Sequence, residues 1–404
     1  MAQRREERSN DSPYATETST GAAYHCSPRP PPMHELPGIT FILEDLTFNK
    51  FLSDKQISLV LKGDHGLTYA AETIKKTRAR LGIVKKDLHE RRRLLQGEWK
   101  RLTAEEMQKA GLENYGRKLL WTHLRRHYPE IRLGQRALLN VMREIDPEGV
   151  ARRHRDVKRE RGQYIVQGPN YIWSIDGHCK LDRWGFEIYG AIDAYSRYMV
   201  FSHCGYTAKT GYAVLALYLR RLRQTNVRPM IIRSDKGIET MMLANLHHAL
   251  ALVDHPSIPF KSCYFYGKST SNQRIESWWQ QWTRSKGNYW KDYFRALEAE
   301  GLWASDSVVD RVCMLAVFMP IMQSEFNEFV ETWNLHTIRK QRLRDGVVAG
   351  KPWMNYHHPQ ASGDVDGFNH GMQVDQGGLD ELQEVVDRGP GMFYHCMKYS
   401  KLIW

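Results

Sequence analysis

The sequence lacks what a membrane protein or a disulfide-stapled secreted protein would need. No run of eighteen or so apolar residues is free of charge, so no stretch reads as a membrane helix. The opening residues, Met1-Ala2-Gln3-Arg4-Arg5-Glu6-Glu7-Arg8, lead into polar sequence and not into the apolar segment of a signal peptide. The six cysteines, at 26, 179, 204, 263, 313 and 396, form no C-x-x-C pair, so neither a zinc ribbon nor a redox motif is indicated. Scattered cysteines of this kind fit a reducing compartment, where they serve as small buried hydrophobes. Together these absences predict a soluble intracellular protein with no membrane partner.

Charge, in contrast, is abundant and confined. The chain of 404 residues carries 58 Lys+Arg, 46 Asp+Glu and a net charge of +12. Between Ala71 and Arg161 stand 25 Lys+Arg and 13 Asp+Glu, which leaves 33 of each sign elsewhere. All the net charge therefore sits in one region, a concentration that favours a polyanionic partner over general solubility. A solvated helical surface is the plainer reading of the same residues.

Residues 1–40 are polar and turn-rich, with Ser27-Pro28-Arg29-Pro30-Pro31-Pro32 near their end, and are expected to form a disordered tail. A basic helical region is expected over 41–162. Ile57, Val60 and Leu61 fall at helical spacing, Gly63-Asp64-His65-Gly66 signals a turn, and Tyr69 to Leu81 forms a second helix stopped by Gly82. That helix presents Lys75, Lys76, Arg78 and Arg80. Two helices with a glycine turn and a basic second member outline a helix-turn-helix. A second pair follows: Arg117 to His127, with Arg125 and Arg126, and Leu133 to Ile145. Asp146-Pro147-Glu148-Gly149 reads as a turn. The run Ala151 to Gly162, with Arg152 and Arg153, has three readings: a linker touching phosphates, a nuclear-localisation segment, or a solvated helix end. Double-stranded DNA is the expected partner, with Lys75, Lys76, Arg78, Arg80, Arg125, Arg126, Arg152 and Arg153 as its contacts.

From Asn170 the pattern changes to short strands rich in aromatic and β-branched residues. Tyr171 to Ile175, ending at Asp176, then Phe186 to Ile192 and Tyr198 to Tyr206 are strands, followed by a helix over Gly211 to Gln224. A strand from Pro229 ends near Asp235, and helix Glu239 to Val253, strand Cys263 to Tyr266 and helix Asn272 to Arg284 complete the series. Three antiparallel strands extended by two helix-linked parallel strands make a mixed α/β sheet flanked by helices. Val308 to Leu335 is a long helix. Beyond Gly350-Lys351-Pro352 only Leu379 to Val386 looks helical, and Met392 to Trp404 is a last strand or docking segment.

Three carboxylates fall where this topology converges. Asp176 closes the first strand, Asp235 closes the fourth, and Glu276 lies one turn into the helix after the fifth. The first and fourth strands are neighbours at the sheet centre, so the acids can meet, and three convergent carboxylates repel unless cations neutralise them. Oxygen-only ligands select hard ions, Mg²⁺ or Mn²⁺. Two such ions about 3.5–4 Å apart suit in-line phosphoryl displacement by water or a 3′-hydroxyl.

The segments W-S-I-D-G (173–177), I-D-A-Y-S-R (192–197), R-S-D-K-G-I-E (233–239) and N-Q-R-I-E-S-W-W (272–279) resemble the catalytic core of retroviral-type and transposon integrases. The likeness covers roughly 165–340 and is closest to integrase-core proteins of eukaryotic transposable elements. It implies an RNase H-like fold, DNA cleavage and strand transfer, and Asp176, Asp235 and Glu276 as catalytic and metal-binding triad. It also implies a homo-oligomer, a nuclear location, and Asn272 and Gln273 facing substrate DNA. Two departures stand out. The His-His-Cys-Cys zinc module of retroviral integrases is absent, and the C-terminal extension, 341–404, does not read as their small basic β-barrel.

Neighbouring residues have structural readings. Asp193 occupies an integrase motif position, yet is expected to cap a strand turn with Arg197 as partner; Glu239 is expected to complement a helix N-terminus. His178 is either a hydrogen-bonded polar residue or a phosphate neighbour. Trp278 and Trp282, four apart, are core anchors, whereas Trp279 faces elsewhere and suits base stacking or a dimer contact. The segment Trp333-Asn334-x-His336-x-x-Arg339 is expected to pack. Two other functions fit the same sequence: a domesticated DNA-binding protein without activity, and an RNase H-type or junction nuclease.

Overall fold

Strands buried on both faces set the central sheet. A computed structural model describes residues 32–84, 89–109, 111–129, 134–155, 165–206, 210–267, 272–340, 348–362 and 368–387. Strands β1 (Ile172–His178), β2 (Glu187–Asp193), β3 (Met199–Gly205), β5 (Ile231–Asp235) and β6 (Tyr264–Gly267) form one five-stranded sheet in the order β3-β2-β1-β5-β6. The β3-β2-β1 part is antiparallel, and β5 and β6 add in parallel to β1. This is the mixed RNase H-like sheet the sequence predicts. The short strand β4 (Val227–Arg228) pairs outside it with β7 (Met372–Gln373).

Both faces are covered. On one, Trp173, Ile175, Tyr189 and Ala191 pack against α8 (Gly211–Thr225) and α9 (Met241–Asp254). On the other, Ile188, Ile192 and Met199 meet Trp278 and Trp282 of α11 (Gln273–Trp282) and Phe326 and Phe329 of α13 (Val308–Leu335). The short helix α10 (Phe260–Cys263) leads into β6, and α12 (Asn288–Ala299) follows α11. Asn334 closes α13 onto the sheet edge by accepting a hydrogen bond from the Met199 N–H at 2.9 Å, and the Trp333 indole donates to the Arg197 carbonyl at 2.8 Å. The late aromatic-Asn segment is thus a packing device.

The expected helical region divides between two cores. Helices α1 (Ile39–Glu44), α2 (Asp54–His65) and α3 (Ala71–Arg80) share their own core through Ile39, Leu43, Ile57, Leu61 and Ile74. A Ser53–Gln56 capping box starts α2, and Gly66 ends it at φ 65°. Met33 is also buried in this cluster, so the last part of the expected tail is packed; residues 1–31 lie outside the described residues. Helices α4 (His89–Gln108), α5 (Arg117–His127), α6 (Gln135–Ile145) and α7 (Pro147–Arg155) belong elsewhere. Their Trp99, Leu120, Leu124 and Leu138 join the core of α11 and α13. The turn expected at 146–149 is instead the start of α7: Asp146 accepts from the Gly149 N–H at 2.8 Å, with Pro147 at the first helical position.

The C-terminal extension is a strap across these parts. Helix α14 (Pro352–His357) places Met354 in the α1–α3 core, while Lys351 Nζ donates to the Phe51 carbonyl at 2.6 Å. Tyr356 stacks on Tyr198 at 4.7 Å and donates to Asn170 at 2.7 Å. Helix α15 (Gln376–Asp387) then buries Leu379 and Val386 beside α8. The segment 392–404 lies outside the described residues. Among the described residues no helix is long and apolar enough to cross a membrane.

Candidate active site

Strand register brings the two aspartates together. β1 and β5 pair as Ile172 with Ile231, Trp173 with Ile232 and Ser174 with Arg233. The same offset two residues on sets Asp176 beside Asp235, at the ends where the parallel strands leave the sheet. Across the other edge of β1, Asp176 pairs with Gly190. A Cβ at Gly190 would stand 3.0 Å from Met199 and 3.4 Å from the Trp279 ring, so glycine lets that indole lie over the sheet.

The third acid arrives through a brace. Asn272 is 1% exposed and donates from Nδ2 to the Ile175 carbonyl at 2.9 Å, which pins the start of α11 to the residue before Asp176. Glu276 follows in the first turn of α11. The expectation that Asn272 faces DNA is therefore corrected: a buried amide bound to β1 positions the helix. Gln273, next in the chain, is exposed.

Electrostatics couple the three acids. Burial, then Glu276 and Asp235, push the Asp176 carboxyl up to about 7, against hydrogen bonds from the Gly177 N–H and the Trp279 indole. Burial and Glu239 raise Asp235; burial and Asp235 raise Glu276, while Lys180 counteracts. Among the described residues, Asp235 Oδ1 is buried without a hydrogen-bond partner. Repelling, partly desolvated carboxylates with an unused oxygen fit a divalent cation.

Trp279 departs from its expected outward role. It is 3% exposed, donates from Nε1 to Asp176 Oδ2 at 3.0 Å, and stacks on His178 at 5.1 Å and 22°. Its place is under the acid, which it orients. His178 is the hydrogen-bonded polar residue of its two readings: buried, 3.3 Å from the Thr283 hydroxyl, with its pKa pushed down to about 4 by burial and then Lys180. Asp193 is fully buried away from the three acids in the turn between β2 and β3. It accepts from the Asn170 N–H at 2.8 Å, the Ser196 N–H at 2.7 Å and the Ser196 hydroxyl at 2.6 Å. Arg197 meets it through backbone, N–H to the Asp193 carbonyl at 2.8 Å. Glu239 sits in the turn before α9, as expected, and also bears on Asp235.

The basic residues divide into exposed and consumed. Lys75, Lys76, Arg80 and Arg152 are exposed, and Lys75 lies 3.6 Å from Glu72. The side chain of Arg153 lies outside the described residues. Arg78 is corrected: it is 5% exposed, binds Asp54 at 2.8 and 2.9 Å, and donates to the Ile83 carbonyl at 2.8 Å. Arg125 is buried with its guanidinium 5.0 Å from the Phe51 ring and 5.1 Å from the Trp121 ring. Arg126 donates to the Glu328 carbonyl at 3.1 Å and the Thr332 hydroxyl at 3.0 Å, and pairs with Glu331. These three cations hold helices together and do not face a ligand. Arg78→Ala should therefore loosen the α1–α3 unit by about 3 kcal/mol, because it removes the buried guanidinium that joins Asp54 of α2 to the Ile83 carbonyl. Hydrogen exchange of α2 and α3 amides checks this, and Arg80→Ala should leave their protection unchanged.

The sheet order and the helices on both its faces define an RNase H-like core. Residues 163–347 match the family described as "Integrase core domain". Among solved structures, the simian T-cell lymphotropic virus intasome, determined by cryo-EM in complex with PP2A regulatory subunit B56 gamma, is similar at 15% identity. That likeness covers 64% of this chain and 75% of the other at a TM-score of 0.29. No curated protein matches the chain.

Proposed function

We propose that this protein is a DNA recombinase of the integrase type that cuts DNA ends and joins them to a target. The observation that carries the reading is the β1–β5 register, which sets Asp176 beside Asp235 while Asn272 holds Glu276 to the same strand. Divalent Mg²⁺ or Mn²⁺ held by these three carboxylates would supply charge stabilisation for phosphoryl transfer. The chain's own residues do the rest. Trp279 and the Gly177 N–H fix the Asp176 carboxylate, Asn272 sets the reach of Glu276, and exposed Gln273 offers an amide to substrate at the start of α11. Lys75, Lys76, Arg80 and Arg152 remain free of burial to meet phosphates. A homo-oligomer holding two DNA ends, acting in the nucleus, fits this reading.

The test is end processing and strand transfer by the full chain with Mg²⁺ or Mn²⁺ on DNA carrying the terminal repeats that flank its gene. Products that depend on the divalent ion are expected. Their absence, with duplex binding intact, would favour a domesticated DNA-binding protein. Duplex affinity should fall steeply with salt, with a log–log slope near −0.9 per phosphate contacted. Lys76→Glu with Arg80→Glu should shallow that slope by about two contacts, and a salt-insensitive complex would count against the basic surface.

A further inference from the structure

A second ligand cluster lies between α4, α5 and α13, apart from the three acids. α5 carries His123 and His127, one turn apart on the same face, with ring centroids 4.4 Å apart. α13 brings Glu328, whose Oε1 lies 2.8 Å from His123 Nδ1 and 3.0 Å from His127 Nε2. The three ligand atoms stand within 4.8 Å of one another. His123 is 4% exposed, and its Nδ1, though close to Glu328, meets no well-aligned hydrogen-bond partner.

We infer that His123, His127 and Glu328 form a transition-metal site, for Zn²⁺ first among divalent ions, that clasps α5 to α13. Two imidazoles and one carboxylate are donors suited to zinc and to related first-row ions, not to Mg²⁺. Tetrahedral zinc ligands about 2.0–2.1 Å from the metal stand roughly 3.3 Å apart, so the observed contacts need open by only a few tenths of an ångström. The surroundings match what a metal-bound histidine requires. His123 Nε2 lies 3.0 Å from Glu106 Oε2, which fixes the tautomer that leaves Nδ1 as the lone-pair donor. Glu106 is itself buried, bound by the Tyr128 hydroxyl at 2.5 Å and by Lys109. The fourth position opens on a cavity of about 440 Å³ bordered by Lys286, Tyr289 and Glu325, with room for water. α5 belongs to the helical layer ahead of the sheet and α13 closes the sheet, so the metal would tie the two.

The test uses the full chain without a histidine tag, dialysed against zinc and then metal-free buffer, with bound metal measured by mass spectrometry. The variants are His127→Ala, Glu328→Gln and Glu106→Gln, with Asp176→Asn/Asp235→Asn to remove metal held by the acids. One zinc retained by the wild type and by the double aspartate variant, but not by His127→Ala, is expected. Cobalt should give visible d–d bands that follow the same pattern. Glu106→Gln, which touches no metal, should weaken zinc binding about 10–100-fold. His127 is half-exposed, so His127→Ala should stay folded, as circular dichroism can check, even if Glu328→Gln does not. Equal zinc in the wild type and His127→Ala, or none in either, would overturn the proposal and leave the cluster a charge network alone.

Discussion

Asp176→Asn, Asp235→Asn and Glu276→Gln should each reduce end cleavage and strand transfer by a hundredfold or more, with duplex binding unchanged. An amide keeps the shape of the carboxyl group but loses the charge that holds a divalent ion, and loss of such a stabiliser costs on the order of 3 kcal/mol or more in the barrier. Stability should move the other way in metal-free protein. The Asp176 carboxyl, ordinarily near 3.8, is raised to about 7 in the folded chain by burial and its two acidic neighbours. A raised carboxyl means the native state keeps a proton that the unfolded chain has lost. That contribution is fully present below about pH 4 and disappears as pH rises through about 7. Relative to Asp176→Asn, metal-free wild type should thus gain stability from pH 8 to pH 5, a comparison in which the buried histidines common to both proteins cancel. Asp176→Asn should be the more stable protein at pH 8, and thermal melts of the pair without metal measure both. Full strand transfer by Asp176→Asn would sink the assignment of this acid.

The parts that were legible in the sequence are those whose cause is local. Runs rich in aromatic and β-branched residues make β1, β2 and β3, the glycines at 66 and 82 end helices where φ turns positive, and acids at strand ends follow from the strands. What escaped depends on partners distant in the chain. Nothing near Arg78, Arg125 or Arg126 announces Asp54, Phe51 or the Glu328 turn of α13, so a count of cations could not separate the consumed from the free. α4 escaped because its charged first turns, His89-Glu90-Arg91-Arg92-Arg93, and weak amphipathic pattern conceal a helix held by packing of Trp99. The C-terminal strap is Gly- and Asp-rich, yet Tyr356, Met354 and Leu379 each find a core formed by other segments. The His123-x-x-x-His127 spacing was available to read, but its meaning needs Glu106 and Glu328 from two other helices.

Asp193→Asn should unfold the core locally, and so lose activity for a reason unlike that of the three acids. This aspartate stands at an integrase motif position and would look catalytic in an activity screen. The groups that face it are donors: the Asn170 N–H on Oδ1, the Ser196 N–H and hydroxyl on Oδ2, and the Tyr195 N–H as well. An asparagine can turn its amide either way, but its NH₂ then meets the Asn170 or the Ser196 N–H, and a fully buried donor is left without an acceptor. Hydrogen bonds to a charged acceptor are worth about 1.5–3 kcal/mol and a stranded buried donor costs about 1–3, so a loss of roughly 3 kcal/mol is expected. For a unit of this size that lowers Tm by roughly 6–12 °C. The damage should spread through Asn170, which accepts from the Trp173 indole at 2.8 Å and from the Tyr356 hydroxyl at 2.7 Å, and so reach the C-terminal strap. Hydrogen exchange over 352–362 and 368–373 should rise in Asp193→Asn and stay unchanged in Asp176→Asn. Cooling should restore strand transfer to the first variant and not to the second. If Asp193→Asn melts with the wild type and is nonetheless inactive at every temperature, Asp193 acts in the chemistry and the turn is not its purpose.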